Sequence, residues 1–429
     1  QACHNLGKLH ESQARWLLAM ESYLNAIQHR PFNLEHYRLL IRTLPYIKDN
    51  NEAHQRICNA LTLLNILSTK HYSKLKEDLD SIPSLYHNTM PPEFLQKLTS
   101  TQHEELLTHP GENLRSNGAQ KWLSGLMIDH ESTRDIERHC ERLSPTKHDI
   151  THRTLTALSN CLNIPTPRVY LSHGMTGIQV FGEDSSSSPA LLLMGAAHID
   201  SDHPQHLPER EMAFALGSQL EHIRAGHLVL TSSEFWGAFR DKALSGSIAL
   251  LSLIPVGSAL GKLADGVAAP LVDYLKKGFD NKLFQLLVGY IDKQIKDGAT
   301  HGQIQSAYEA TIGALILSEK RAHDLNNQPQ SLIKEELADF ARCALYTADR
   351  FGLLACDDLT SAVHAILLLS THHTELDTIK KEGIIDLLQR TDSQGKFTHS
   401  ELAMRLSELF SFALSKQFAT LRKELIEPQ

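Results

Sequence analysis

The chain of 429 residues has no Cys-x-x-Cys pair; its six cysteines (Cys3, Cys58, Cys140, Cys161, Cys343 and Cys356) lie far apart. That spacing excludes a zinc ribbon and offers no disulfide framework, so the thiols are expected to be reduced and mostly buried, as suits a cytoplasmic protein. Excess positive charge is missing too. A net charge of -8 gives no electrostatic case for nucleic acid or an anionic membrane. Neither a phosphate-cradling glycine loop nor a dinucleotide fingerprint occurs. Asp392-Ser-Gln-Gly opens like a calcium loop, but the later ligand positions and the glycine spacing do not fit. No apolar run reaches the ~20 residues of a membrane-spanning helix. The most apolar, Ile248 to Leu260, is interrupted by Pro255 and Gly257, and a second stretch follows from Val267 to Leu275. This pair is expected to form a buried helical hairpin, with membrane association as the competing reading. No basic n-region and apolar h-region opens the chain, which begins at Gln1.

What is present is ordinary for a globular protein: 41% hydrophobic and 21% charged residues, with 25 scattered histidines. The length suits two domains better than one. Near the start, Leu6-Gly7, Ala19, Tyr23, Ala26 and Pro31 place small residues where helices would touch and an aromatic where it would fill the groove between them. One period later Leu40, Ala53, Ile57 and Ala60 take the matching positions, while Asn65 stands where the closing proline would be. These two registers resemble the tetratricopeptide repeat. Such units bury a face only by stacking, so the resemblance implies further repeats upstream of Gln1. Residues 1–66 are assigned to the repeats. Pro83, Pro91-Pro92 and His109-Pro110-Gly111 break residues 67–117 into a helical connector.

Residues 118–429 are expected to form an α+β domain, a small sheet with many helices. Leu155, Leu158 and Leu162 mark the buried stripe of a helix over Asp149 to Leu162. Three short apolar segments read as strands: Pro167 to Leu171, Gly177 to Gly182 and Ala190 to Met194, the last two separated by the serine run Ser185 to Ser188. Everything after Pro208 reads as helix, including a long amphipathic helix or pair over Phe397 to Glu427.

Within Glu209 to His227, Met212, Leu216, Leu220 and Ile223 recur at helical spacing and form one buried stripe. Ser218 and His222, four apart, share another face, with Gln219 beside them. In a zincin helix that face carries two His ligands one turn apart and a general-base Glu. The frame around it, Phe214-Ala-Leu-Gly217 and His222-Ile-Arg-Ala-Gly-His227, resembles the HtpX-like zinc peptidases, the gluzincins. Asn163-Ile-Pro-Thr-Pro-Arg-Val-Tyr and the strand segments resemble that family's approach to its sheet. Ala348-Asp-Arg-Phe-Gly352 resembles its second motif, in which a Glu three residues before the Ala is the third ligand. The resemblance covers roughly Gln120 to Leu369.

It implies loss. The first His ligand is replaced by Ser218, the general base by Gln219 and the third ligand by Leu345, leaving His222 alone. One imidazole cannot hold a zinc ion that takes three protein ligands and a water, and without metal or carboxylate nothing activates water. Asp349, which the resemblance places outside the first shell, is expected to bond to a neighbouring helix or to His222. A Ser218-Gln219-His222 hydrogen-bond cluster is expected to fill the old cavity. Other arrangements compete. Glu221, His222 and His227 are close in sequence, yet on a continuous helix neither neighbours nor residues five apart share a face. His198, Asp200, Asp202, His203 and His206 form a ligand-rich loop before the helix, so His198, His203 and His206 could build a displaced metal site with His222. Ser218 with His222 as nucleophile and base lacks an orienting acid and an oxyanion hole.

The expectation is therefore a mainly α protein: a tetratricopeptide solenoid followed by an α+β zincin-like domain with a degenerate site, without cofactor or metal. It would be a pseudopeptidase that binds a protein or peptide partner through the repeats or a sheet edge. The alternatives are a metal-dependent hydrolase with displaced ligands and a membrane-associated assembly component.

Overall fold

The computed structural model describes residues 2–46, 51–65, 95–112, 136–137, 140–173, 177–181, 190–227, 331–369, 379, 383–391, 393, 395 and 399–426. Outside them lie the apolar pair Ile248 to Leu275, the serine run, the prolines Pro83, Pro91 and Pro92, and Asp392. Among the described residues the chain is mainly helical with one small mixed sheet. No helix among them is long and apolar enough to cross a membrane.

Four helices open the chain: α1 (Ala2–Ser12), α2 (Trp16–His29), α3 (Leu34–Thr43) and α4 (Asn51–Leu63). The small residues of the repeat pattern sit at close contacts. Gly7 of α1 lies against the ring of Tyr23, so that a Cβ there would collide with it. Tyr23 in turn donates a 2.7 Å hydrogen bond to Glu11. Asn33 caps α3, its side chain accepting from the Glu35 amide. Tyr37, Leu40, Ile57 and Ala60 are buried. These helices do not close a core of their own: one continuous apolar cluster runs from Ala19 to Leu425. At the junction Phe32 meets Phe410 edge to face at 5.7 Å, Ser411 donates to the Gln28 carbonyl, and Asn59 donates to Asp358 at 2.8 Å.

The sheet contains β1 (Glu141–Arg142), β2 (Arg168–Ser172), β3 (Ile178–Phe181) and β4 (Leu191–Gly195), in the order β1-β2-β4-β3. β2 pairs with β4 in parallel, and β3 pairs with β4 antiparallel, from Ile178↔Met194 to Phe181↔Leu191. β3 and β4 are buried along their whole length, which explains why β4 reads as an unbroken apolar run rather than an alternating one; β3 is apolar except for the buried Gln179. The three expected strands form within one residue of their anticipated ends. β1 is a two-residue antiparallel edge that carries only Glu and Arg, and no apolar pattern marks it.

α5 (Asp149–Cys161) precedes β2 and stops at Asn163, whose φ of 55° is the left-handed conformation that Asn tolerates. α6 (Glu209–Arg224) lies between α5, α7 (Ser331–Cys356) and α8 (Leu359–Leu369). α9 (Ser400–Ala413) and α10 (Lys416–Ile426) complete the described helices longer than two turns; the expected C-terminal amphipathic pair is thus two helices broken at Leu414-Ser415. α6 and α7 cross where neither has a side chain. A Cβ on Gly217 would meet the Ala355 Cβ at 2.9 Å, and one on Gly352 would meet the Phe214 carbonyl oxygen at 2.8 Å. The second obstacle is backbone and cannot swing aside. Gly352→Ala is therefore expected to destabilise by about 1–3 kcal/mol, against the roughly 1 kcal/mol that alanine gains in helix propensity. Urea denaturation should show a lower midpoint for Gly352→Ala than for Gly217→Ala; equal or raised midpoints would refute so tight a crossing.

Candidate functional site

The last turns of α6 carry the residues singled out by the sequence. Ser218, Gln219, Glu221 and His222 are all buried. Ala225 ends the helix, and Gly226 (φ 69°) reverses the chain: its amide bonds to Ile223 O at 3.2 Å, and the His227 amide bonds to His222 O at 2.8 Å. This is a Schellman termination. It corrects the argument from helical faces, because the helix stops before position 227. His227 folds back, its ring 6.0 Å from that of His222 and 5.6 Å from Phe340.

The expected Ser-Gln-His hydrogen-bond cluster does not form. Among the described residues no hydrogen bond joins the three side chains, and Gln219 Oε1 and His222 Nδ1 are buried without partners. α6 holds Ser218 and His222 one turn apart without aligning donor to acceptor. Burial, with His227 and Arg405 nearby, pushes the His222 imidazole down to about 3, so it stays neutral. Leu345 on α7 is buried within the apolar core. Asp349, one turn on, is held by Arg405 of α9 through two hydrogen bonds, Nε to Oδ2 at 2.6 Å and Nη2 to Oδ1 at 2.7 Å. Burial raises the Asp349 carboxyl above its usual range, and the guanidinium opposes that shift.

A second set of charged groups surrounds the end of α6, and sequence reasoning missed it. Glu221 is fully buried and accepts from Arg224 Nε at 2.9 Å, while His103 Nε2 lies 2.8 Å from it. Burial raises this carboxyl, but His103 and Arg224 outweigh it and hold Glu221 below the usual carboxylate range. Glu112 accepts a short hydrogen bond from Thr347 Oγ1 and lies 3.3 Å from His227 Nε2, out of line for a hydrogen bond. Both His103 and Glu112 come from residues 95–112, assigned in the sequence to the connector. Arg405 had a legible signal: with Leu402 and Leu409 it falls at i, i+3 and i+7, on the buried stripe of α9. Glu112 and His103 had none, since the partners that tie them to α6 and α7 lie more than a hundred residues away.

The loop before α6 is not assembled around His222. His198 is buried and uses both ring nitrogens: Nε2 accepts from the Gly177 amide at 2.6 Å, and Nδ1 faces the Gln205 carbonyl at 2.8 Å. His203 Nδ1 accepts from the Gln205 amide, and Asp200 accepts from the Asp202 amide. His203 and His206 are half-buried within this local turn. Among the described residues no three His, Cys, Asp or Glu side chains are grouped so as to hold a metal ion. At the positions that the sequence resemblance pairs with zinc ligands stand Ser218, His222 and Leu345, a hydroxyl and an alkyl group beside one imidazole whose Nδ1 has no hydrogen-bond partner, a donor set that does not fit zinc.

The two bonds of His198 fix the neutral form with the proton on Nδ1, and burial lowers its pKa from 6.5 to about 4. The sign follows. Between pH 4 and 6.5 the unfolded chain binds a proton that the folded chain refuses, so stability falls as the solution is acidified. Each such histidine contributes up to about 1.4 kcal/mol per pH unit over that window. Denaturation at pH 7 and pH 5 should show this loss, and His198→Asn should flatten it by about one proton; an unchanged slope would contradict the assignment.

Comparison of the chain with protein-family models, with curated proteins and with solved structures returned no match.

Proposed function

We propose that this chain is a catalytically inactive zinc-peptidase-like protein, with tetratricopeptide-like helices at its start, and that it acts by binding other proteins. The observation that carries the reading is the chemistry of α6 and α7 where they cross through Gly217 and Gly352. A zincin places two imidazoles and two carboxylates there, whereas this chain has Ser218, Gln219 and Leu345, all buried, and a single neutral His222. Gln219 cannot take a proton from water, and Leu345 offers no donor atom. Ser218 is not hydrogen-bonded to His222, and an imidazole with so low a pKa is a poor base for a nucleophilic alternative.

Partner binding falls to the helices of the repeat segment and to β1 and β3, the outer strands of the sheet among the described residues. Elemental analysis of the purified chain tests the reading. Less than about a tenth of a zinc ion per chain, with no peptide hydrolysis restored by added zinc, is expected. Stoichiometric zinc that His222→Ala removes would overturn it.

A further inference from the structure

We propose that the face of α7 beside the degenerate site is a peptide-recognition groove, occupied in this chain by its own residues Leu107 to Glu112. The partner it fits is a peptide with a leucine-like side chain and, five residues on, a carboxylate preceded by glycine. This rests on the reading of the protein as one that binds other proteins, and it names where and what.

The contacts to this strap are those by which proteins read an extended peptide. Arg350 of α7 donates through one terminal nitrogen to two successive main-chain carbonyls, Leu107 O at 3.3 Å and Thr108 O at 3.2 Å. Thr347 of α7 accepts from the His109 amide at 2.9 Å and donates to the Glu112 carboxylate. Leu107 is the apolar anchor, fully buried. Gly111 passes so close to α7 that a Cβ would sit 2.7 Å from the Cys343 sulfur, which favours glycine before the acidic residue unless that thiol turns aside. Main-chain recognition plus one pocket and one charge is sequence-tolerant, so a second chain can offer the same groups.

The strap also fits imperfectly. It is preceded by a five-residue π-helical turn, His103–Leu107, a geometry rarely adopted without local cause. The groove keeps two buried polar atoms without a hydrogen-bond partner, Arg350 Nε and His227 Nδ1, while His227 Nε2 meets the strap's Glu112 only as an ion pair at 3.3 Å. A ligand whose carboxylate sits in line with His227 and whose next acceptor reaches Arg350 satisfies groups that the internal strap does not. The strap is therefore a placeholder held by proximity, and an external peptide competes with it.

The test uses the whole chain and a labelled ten-residue peptide of the strap's own sequence, His-Glu-Glu-Leu-Leu-Thr-His-Pro-Gly-Glu (residues 103–112), followed by fluorescence anisotropy. The internal strap acts at an effective concentration on the order of millimolar, so the native chain should bind weakly. Glu112→Gln, which loosens the strap, should tighten peptide binding about tenfold, and adding Arg350→Met should abolish it. No binding by a folded Glu112→Gln chain, or binding indifferent to Arg350→Met, overturns the proposal. Hydrogen exchange of the unaltered chain decides it if the variants fail to fold. The His109 amide should exchange about a hundredfold faster than the buried amides of α7, by local opening. Exchange of both only through global unfolding would mean that the strap never leaves. Zinc content and hydrolysis are unaffected by any of these outcomes, so failure here leaves the inactive-peptidase reading to its own test.

Discussion

Arg405→Met is expected to destabilise the protein by about 3–5 kcal/mol, because it leaves Asp349 as an uncompensated charge in the core. The two side chains are 5% and 2% exposed and meet through two bonds of 2.6 and 2.7 Å. Removing one member strands the other, whereas Asp349→Leu combined with Arg405→Met replaces both by apolar groups and should recover most of the loss. The pH dependence gives a second readout. Burial already raises the Asp349 carboxyl, and without the guanidinium nothing opposes that rise. The folded variant then holds a proton that the unfolded chain releases above about pH 4, so its stability falls as pH rises through that value. The deficit relative to the unaltered protein should shrink on acidification toward pH 4. Urea denaturation at pH 4, 5.5 and 7 measures it. A deficit below about 1 kcal/mol at pH 7 would show the pair to be dispensable.

The same pair shows where sequence reasoning reached and where it stopped. Features carried by local periodicity were legible: the apolar stripe of α6 and the strands β2 to β4. Each depends on residues within a few positions of one another. Asp349 stood out as a candidate, but its partner is 56 residues away on another helix, and only the buried stripe through Leu402, Arg405 and Leu409 hinted at it. Asp357 with Arg422 and Glu401 with Arg342 are built the same way. Two assumptions of regularity failed. The helix was read through Gly226, which hid the return of His227 toward His222. The stretch 67–117 was read as connector because its prolines and glycine break every period, yet its residues 95–112 supply Glu112 and His103 to buried networks. Turn chemistry could have flagged the first, since a glycine two residues after the helix's final Arg224 is a Schellman signal. The second is tertiary structure with no local trace.

If the proposed reading holds, introducing the zincin ligands at these buried positions should give a site that binds zinc. The variant Ser218→His, Gln219→Glu, Leu345→Glu adds two donors to His222 and supplies the general base. Without metal it places new ionisable groups where the residues they replace are 4%, 3% and 5% exposed, so it should lose several kcal/mol. With zinc the loss becomes a gain in linkage: metal at about a thousand times its dissociation constant contributes about 4 kcal/mol, which shifts the melting temperature of a chain this long by roughly 5 °C. Affinity should remain about 10- to 100-fold below that of a complete site, because Asp349 is committed to Arg405 and cannot support the ligands from behind. Melting curves with zinc and with a chelator, together with the zinc-to-protein ratio, measure the effect, and His222→Ala in the same background should remove it. A folded triple variant that takes up no zinc would mean that the α6–α7 crossing is a helix packing of another kind, and the peptidase ancestry of the site would fall with it.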